Sequence, residues 1–497
     1  MHSLKIRDLS YKYPSAAQPI FNALNLDFEE GWSAVTGVNG SGKSTLLKLI
    51  SKELKTEKGM ILGNSLVVYC AQSTEFPPLE LEEFMMTYTK EAYKLRDLLQ
   101  VKDEWLGTWE VLSHGERKQL QLAVALSSES DVLMVDEPTN HLDSRSQMIV
   151  VKALKSYKGI GILVSHDRTL LDALTQQTIM IKAGEVLKYR SKFSLAHLAY
   201  GQTLSHKKKA ISEQENELKK INRVVQVQRE KVSLAKKRFS KKGVSKHDSS
   251  MKEKINGAIL TGKDKNDGQM LQRTLTKQRH LSENMNKLSK EYATGISFEG
   301  EIAKYNFPIA VEKNCIELFE STQLCFPRLS VNIGDKVGIC GENGAGKSTF
   351  IRYFVKAIDF KHDYLYIPQE ITDKEAEQLF NEISDLNTDA KGELFTLIQR
   401  LGSDAKALLN SSIPSPGEVR KLLIAQGLLK RPSLIILDEP TNHMDLESIE
   451  SLEASLKEYA GVLLFITHDK TFLENLSTKR WVFEKNQDQA YTLQEIL

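Results

Sequence analysis

The sequence predicts an α/β fold used twice, as two tandem domains joined by an antiparallel α-helical coiled-coil linker. Three observations predict it. Four short motifs in the first half return in the second about 302 residues later, in the same order. Each half mixes strand-length apolar runs with helix-patterned segments, the pattern of a mostly parallel sheet covered by helices. The segment between the halves follows a seven-residue apolar repeat instead.

The first domain spans residues 1–192. Leu4–Leu9 and Ile20–Phe28 are strand-like, and buried strands are expected at Leu66–Cys70, Val132–Val135 and Gly161–Val164. An apolar run leads into Gly37-Val38-Asn39-Gly40-Ser41-Gly42-Lys43-Ser44-Thr45, and a helix follows over Thr45–Lys52. Strand, glycine-rich turn and helix in that order are what a phosphate loop requires. Residues 297–497 repeat the plan around Gly341-Glu342-Asn343-Gly344-Ala345-Gly346-Lys347-Ser348-Thr349. Only 41 residues separate Gln72 from Ser113, and 46 separate Gln369 from Ser415. That leaves room for small helical subdomains and no large insertion.

Residues 193–296 are the linker. Ile211, Leu218, Val225, Val232 and Phe239 recur every seven residues, with Ile221 and Ala235 between them. Beyond a polar stretch, Leu271, Gln278, Met285 and Tyr292 share one register, and Leu281 and Leu288 another. Two such helices fold back as a hairpin whose first arm spans roughly 65–70 Å, with a tip loop at about 241–268.

Composition narrows the setting. The chain is 41% hydrophobic and 27% charged, ordinary for a soluble protein, and holds no run of 18 apolar residues. The first residues, Met1 to Arg7, show no apolar signal region. Cys70, Cys315, Cys325 and Cys340 show neither disulfide-scaffold nor metal-ligand spacing, and a reducing cytoplasm is the expected address. The net charge of +2 conceals a split: Ser205–Tyr292 carries 23 Lys and Arg against 10 Asp and Glu, leaving −11 on the remainder. One part of the chain is built to meet a polyanion.

The motifs specify chemistry. Glycine-rich loops let backbone N–H groups approach phosphates at the positive end of a helix. Lys43 and Lys347 then reach the β- and γ-phosphates of ATP, and Ser44 and Ser348 bind Mg²⁺. Asp136 and Asp438 end apolar strands and place a carboxylate beside that metal. Glu137 and Glu439 follow directly and are the candidates to polarise the attacking water. His166 and His468, each 29 residues after its glutamate, are expected to contact the γ-phosphate and hold that water. Gln72 and Gln369 suit a metal-sensing contact, and Tyr13 a stacking contact with adenine. Ser113 and Gly115, like Ser415 and Gly417, open a second anion-binding helix 23 residues before each strand-ending aspartate.

These motifs resemble the ATP-binding cassette (ABC) superfamily, so the fold is read as two tandem ABC-type nucleotide-binding domains. In that family two cassettes face head to tail and each signature closes on the other's nucleotide. The resemblance implies one site of Lys43, Asp136, Glu137 and His166 with Ser415 and Gly417. The other joins Lys347, Asp438, Glu439 and His468 to Ser113 and Gly115. His114, Pro414 and Pro416 depart from the family's Leu-Ser-Gly-Gly signature, and unequal turnover at the two sites is expected.

With two cassettes on one chain, Asp-Glu-Pro-Thr-Asn-His-(Leu/Met)-Asp in both halves and a charged two-helix linker, the sequence is similar to the ABC-F family. That resemblance implies a monomeric, cytoplasmic ATP hydrolase with an intramolecular cassette dimer, and no membrane or DNA partner. It implies entry into the ribosomal exit site with ATP bound, the linker lying against P-site transfer RNA and ribosomal RNA. The compact first cassette and the segment Ser245–Lys263 resemble the antibiotic-resistance, Vga/Lsa-like branch.

Physically, Lys236, Lys237, Arg238, Lys241, Lys242, Lys246, Lys252, Lys254, Lys263 and Lys265 are candidate RNA contacts, whose phosphate neutralisation makes binding salt-dependent. Ile255, Ala258, Ile259 and Leu260 either meet bases at the tip or cap its turn. A housekeeping translation factor is the alternative function. A transporter motor has no use for the cationic coil, and chromosome-type ATPases interrupt a cassette with theirs, whereas each cassette here is intact.

Overall fold

The computed structural model describes residues 3–238, 269–279, 282 and 307–496. Excepted are 15, 17, 64–65, 141, 183–184, 319–321, 358–363, 404–407, 409–414 and 487–489, and the side chains of 208, 231–238 and 373. Two compact units result, Met1–Ala196 with Thr294–Leu497, and His197–Ala293. The first unit contains both cassettes.

In the first cassette an antiparallel sheet orders Phe21–Phe28, Leu4–Tyr11 and Lys58–Leu62. Its core-facing residues are Leu4, Ile6, Leu9 and Tyr11, a period of two with one residue too many. The structure absorbs that residue in a register shift between Ile6 and Leu9, where Asp8 takes a φ of 49°. A bulge there returns Leu9 and Tyr11 to the core face.

A second sheet runs Val67–Cys70, Val132–Asp136, Ile160–Val164, Gly31–Gly37, Thr175–Lys182 and Glu185–Tyr189, parallel except at its last pair. Val132–Asp136 and Ile160–Val164 are buried along their whole length, as expected of strands covered on both faces. Leu81–Met86 and Lys90–Leu99 occupy the interval between Gln72 and Ser113.

The second cassette builds a mixed sheet in the order Asn314–Glu317, Gln323–Phe326, Tyr491–Ile496, Lys479–Lys485, Lys336–Cys340, Val462–Ile466, Leu434–Asp438 and Tyr364–Ile367. Phe350, on the helix after its glycine-rich loop, packs edge-on against Phe326, Trp481 and Phe483. Helices Asp373–Asp385 and Thr388–Arg400 fill the interval before the second signature.

The cysteine reading needs one correction. Cys315 and Cys325 lie opposite each other on paired antiparallel strands and are disulfide-bonded. Spacing could not show this, because a cross-strand pair is set by hairpin register rather than by motif. Cys70 is buried in the core, as expected.

Phe193–Arg238 is one helix of 46 residues, and from His197 onward it belongs to the second unit. Ile221 and Val225 are buried along it, with Ile211 and Leu218 half-buried. Residues 269–279 are helical, with Leu271 and Gln278 half-buried. Lys277 pairs with Glu217 at 2.8 Å, and Gln278 Nε2 donates to Asn222 Oδ1 at 2.7 Å. Phe239, Leu281, Met285, Leu288 and Tyr292, the tip loop and Lys241, Lys242, Lys246, Lys252, Lys254, Lys263 and Lys265 lie outside the described residues, as do the side chains of Val232, Ala235, Lys236, Lys237 and Arg238. Among the described residues no helix is long and apolar enough to cross a membrane.

Candidate functional site

Both glycine-rich loops reach the same geometry. Gly42 and Gly346 sit at φ 99° and 89°, and a Cβ there would lie 2.5 Å from Ile20 and 2.7 Å from Leu318. Only glycine fits, and the helices Lys43–Ile50 and Lys347–Ala357 start one residue later. Lys43 Nζ donates to Gly37 O (2.8 Å) and Val38 O (3.2 Å), and Lys347 Nζ to Gly341 O (2.8 Å) and Glu342 O (2.9 Å). Burial pushes both ammonium groups down from their ordinary pKa, opposed by Glu137 at the first and Glu439 at the second.

Ser44 hydrogen-bonds Asp136, and Ser348 hydrogen-bonds Asp438. Tyr69 Oη also donates to Asp136 Oδ2 at 3.1 Å. Burial raises both aspartates above the usual carboxylate range. A magnesium ion fits these residues. It prefers one or two carboxylates plus substrate phosphates to an all-protein cage, and among the described residues no cluster of three or more His, Cys, Asp or Glu offers such a cage.

The glutamates are the strained members. Glu137 and Glu439 hold φ of 47° and 50°, a region side chains other than glycine's rarely occupy. Their amides donate to Val164 O (2.8 Å) and Ile466 O (3.0 Å), which locks the turn at the strand end. Each Oε2 accepts the backbone N–H of its histidine, at 3.3 Å from His166 and 3.4 Å from His468. Each Oε1 lies 3.4 Å from that histidine's Nε2 and is buried with no hydrogen-bond partner. An orphaned carboxylate oxygen beside the phosphate-loop lysine is where a water would be activated. Burial pushes Glu137 up to about 8 and Glu439 up to about 7, and lowers His166 to about 3 and His468 to about 4.

The structure brings the second signature to the first site. Ser415 and Gly417 line one cavity of about 690 Å³ with Tyr13, Lys43, Ser44, Thr45, Gln72, Asp136, Glu137 and His166. Tyr13 Oη lies 3.2 Å from Thr45 Oγ1, and its ring meets Tyr11 edge-on. Asn39 and Gly40 also border this cavity, whereas Gly37, Val38 and Ser41 form the loop behind it.

The second cavity, about 410 Å³, gathers Asn343, Gly344, Gly346, Lys347, Ser348, Thr349, Gln369, Asp438, Glu439 and His468. Gly341, Glu342 and Ala345 stand behind that lining. Its first-cassette wall is Thr139, Asn140, Leu142, Gln147, His166 and Asp167, and Ser113 and Gly115 are not part of it. Gly115 abuts Leu142 instead, at 3.2 Å from where its Cβ would be. Both signature serines cap their helices reciprocally with Glu116 and Glu418. Pro416 falls in the first turn of its helix, where a missing N–H is harmless, so the proline leaves the cap intact. Pro414 lies outside the described residues.

Several functional contacts escaped sequence reasoning. The Asn39 amide donates to Asp445 Oδ2, and the Asn343 amide to Asp143 Oδ2, both at 3.3 Å and both across the cassette interface. Arg168 reaches Glu453 (2.9 Å) and Asp469 (3.4 Å), and Lys182 reaches Glu447 (2.7 Å). Lys118 Nζ holds Ala71 O and Gln72 O, and Arg420 holds Gln369 O and Glu439 O. The repeat did carry one signal for this pair: both are basic residues five positions after the signature serine.

Phosphate loops, strand-end Asp-Glu pairs and a signature helix crossing between halves define a tandem ATP-binding cassette ATPase. The chain matches the ABC transporter family over residues 21–140 and 327–442. It is 28% identical over 498 residues to the ribosome protection protein VmlR of Bacillus subtilis (strain 168), covering 95% of this chain and 86% of that one. It is 24% identical to the erythromycin resistance ATP-binding protein MsrA of Staphylococcus epidermidis, with 97% of each chain covered. The ATP-binding protein Uup of Buchnera aphidicola subsp. Schizaphis graminum is 26% identical over 91% of this chain and 76% of its own. These matches support the ABC-F resemblance and its antibiotic-resistance branch, and the two cassette domains support ATP hydrolysis. The fold is shared at TM-score 0.62 and 16% identity with an archaeal ribosome recycling factor aABCE1, solved with the stalk protein aP1, over 98% of this chain and 89% of that one. An RNase-L inhibitor structure gives 0.61 over 98% and 90%.

Proposed function

We propose that this ATPase binds the ribosomal exit site in its ATP-bound state and protects the ribosome from antibiotics acting near the peptidyl-transferase centre. Its basic linker, an antiparallel coiled coil over residues 193–296, then lies beside P-site transfer RNA and ribosomal RNA. The observation that supports this best is the end-to-end alignment with a ribosome protection protein, 95% of this chain, which runs through the linker as well as the cassettes. The excess of 23 basic over 10 acidic residues in Ser205–Tyr292 gives that linker the charge a nucleic-acid cavity demands.

In this reading the cassettes are the clamp. Lys43 and Lys347, with the loop amides, hold the phosphates of two ATP molecules, and Ser415 and Gly417 close the first site from the opposite cassette. A magnesium ion held by Ser44 and Asp136, or by Ser348 and Asp438, neutralises phosphate charge when bound, with Gln72 and Gln369 in reach of it. Glu137 or Glu439 orients the water and takes its proton as the oxygen attacks the γ-phosphorus. The bond to the bridging oxygen breaks and ADP leaves. His166 and His468, uncharged at neutral pH through burial, hold the water and γ-phosphate in line.

Expression in a drug-sensitive host tests the reading. Raised resistance to lincosamides, streptogramins A, pleuromutilins, macrolides or phenicols supports it. Unchanged susceptibility to all five, with the protein present and folded, leaves the housekeeping translation factor as the function.

A further inference from the structure

Matching positions behind the two phosphate loops are not chemically matched. In the second cassette the signature helix carries Lys421, whose ammonium lies 3.2 Å from Asp445 Oδ2, with the two side chains 3% and 2% exposed. Lys421 also donates to Ser403 Oγ at 3.1 Å. The same Asp445 oxygen accepts the Asn39 amide of the first cassette's loop. Its other oxygen is fixed by the amide and hydroxyl of Ser448, at 2.9 and 2.7 Å. A parallel bond joins Asn39 Nδ2 to His443 O at 3.0 Å.

At the second site the residue matching Lys421 is Gln119, and the carboxylate matching Asp445 is Asp143. Asp143 is only half-buried. It accepts the Asn343 amide at 3.3 Å, the Ser146 amide at 2.8 Å and the Ser146 hydroxyl; His468 and Lys347 act on it from a distance, and among the described residues no lysine or arginine forms an ion pair with it.

The difference bears on how firmly each loop is held. A carboxylate this deep stays ionised only beside a cation, and an ionised acceptor in a low-dielectric interior binds an N–H more tightly than a solvated one. Lys421 supplies that cation for the first loop alone.

We propose that Lys421 is a positioning residue which, through Asp445, latches the first phosphate loop to the second cassette, so that nucleotide is held longer at Lys43 than at Lys347. The latch rests on the phosphate-loop assignment and adds to it an inequality between the sites. Lys421 itself touches no nucleotide.

The test compares the full-length chain with Lys421→Gln and Lys421→Arg. Amide hydrogen exchange is followed at residues 37–44 and 341–348 with a non-hydrolysable ATP analogue bound, and release of a fluorescent ADP analogue is timed. Lys421→Gln is expected to speed exchange at 37–44 about tenfold, leave 341–348 unchanged, and collapse a slow release phase into the fast one. Lys421→Arg retains the slow phase. Equal loosening of both loops, or a slow phase indifferent to Lys421→Gln, overturns the latch. Should Lys421→Gln not fold, Lys421→Gln with Asp445→Asn leaves no buried charge unpaired, and the same two outcomes decide. A wild-type chain that does not bind the analogue contradicts the phosphate-loop assignment, and the latch falls with it.

Discussion

Asn39 and Asp445 stand 406 residues apart in sequence, and the amide of one donates to the carboxylate of the other at 3.3 Å. The bond joins the first phosphate loop to the segment that follows the second Asp-Glu pair, and with its counterpart from Asn343 to Asp143 it holds each loop in part by the opposite cassette. Closure of the two halves and occupation of the sites are therefore expected to be coupled.

Arg168 tests that coupling from outside the nucleotide sites. It is 14% exposed and lies between Glu453 and Asp469, both of the opposite cassette. Asp469 follows His468 directly and caps its own helix. Arg168→Ala leaves these acids, and Asp167 nearby, facing one another uncompensated. The expected loss is about 2 kcal/mol of closure, near the low end for truncating one partner of a desolvated pair. It is read as a roughly thirtyfold rise in the ATP concentration needed for half-maximal turnover. An unchanged dependence on ATP contradicts the role.

Stability of the nucleotide-free, magnesium-free chain should depend on pH through the buried glutamates. Their pKa values rise from 4.5 to about 8 and about 7 on folding, so between those values the folded state binds the extra protons and stability falls as pH rises. His166 and His468 fall from 6.5 to about 3 and about 4 and act oppositely, but only below about 6.5. From pH 6.5 to 8 the histidines no longer oppose the glutamates, and the melting temperature should decline. Glu137→Gln with Glu439→Gln removes the effect. The expected gain is about 3 °C at pH 8 with a flat profile across the window, checked by thermal unfolding at fixed ionic strength.

The linker prediction is electrostatic. Replacing Lys236, Lys237, Arg238, Lys241 and Lys242 by glutamine should abolish ribosome binding and leave ATP affinity unaltered. Milder neutralisation should reduce the slope of log affinity against log salt by about 0.7–0.9 for each phosphate no longer neutralised. Ribosome pelleting across a salt series checks both. Binding and slope that survive intact would show the charges to be a solvated face.

Local chemistry was legible in the sequence wherever it lay within one motif. Gly42, Lys43, Asp136, Glu137 and His166 each sit where spacing placed them, because a glycine-rich turn between strand and helix has few solutions. The strained φ of Glu137 was not legible, although it aims the carboxylate; it depends on the bond to Val164 O on a neighbouring strand. Nor were the partners of Arg168 and Asp143, since contacts across the cassette interface carry no fixed interval along the chain, nor that of Lys421, which packing within its own cassette sets. The bulge at Asp8 left a faint mark in the broken alternation of Leu4, Ile6 and Leu9. The Cys315–Cys325 bond left none. Family resemblance supplied the head-to-tail pairing; the cavity shared by Lys43 and Ser415 agrees with it at the first site, whereas Ser113 and Gly115 do not line the second.

The central claim is that ATP clamping between the cassettes commits the molecule to the ribosome. Glu137→Gln with Glu439→Gln keeps both phosphate loops and removes the groups that activate water. Sedimentation of this variant with ribosomes in ATP at low salt is the most direct measurement. The predicted result is pelleting with ribosomes in ATP and release in ADP. Free migration in both nucleotides contradicts the claim.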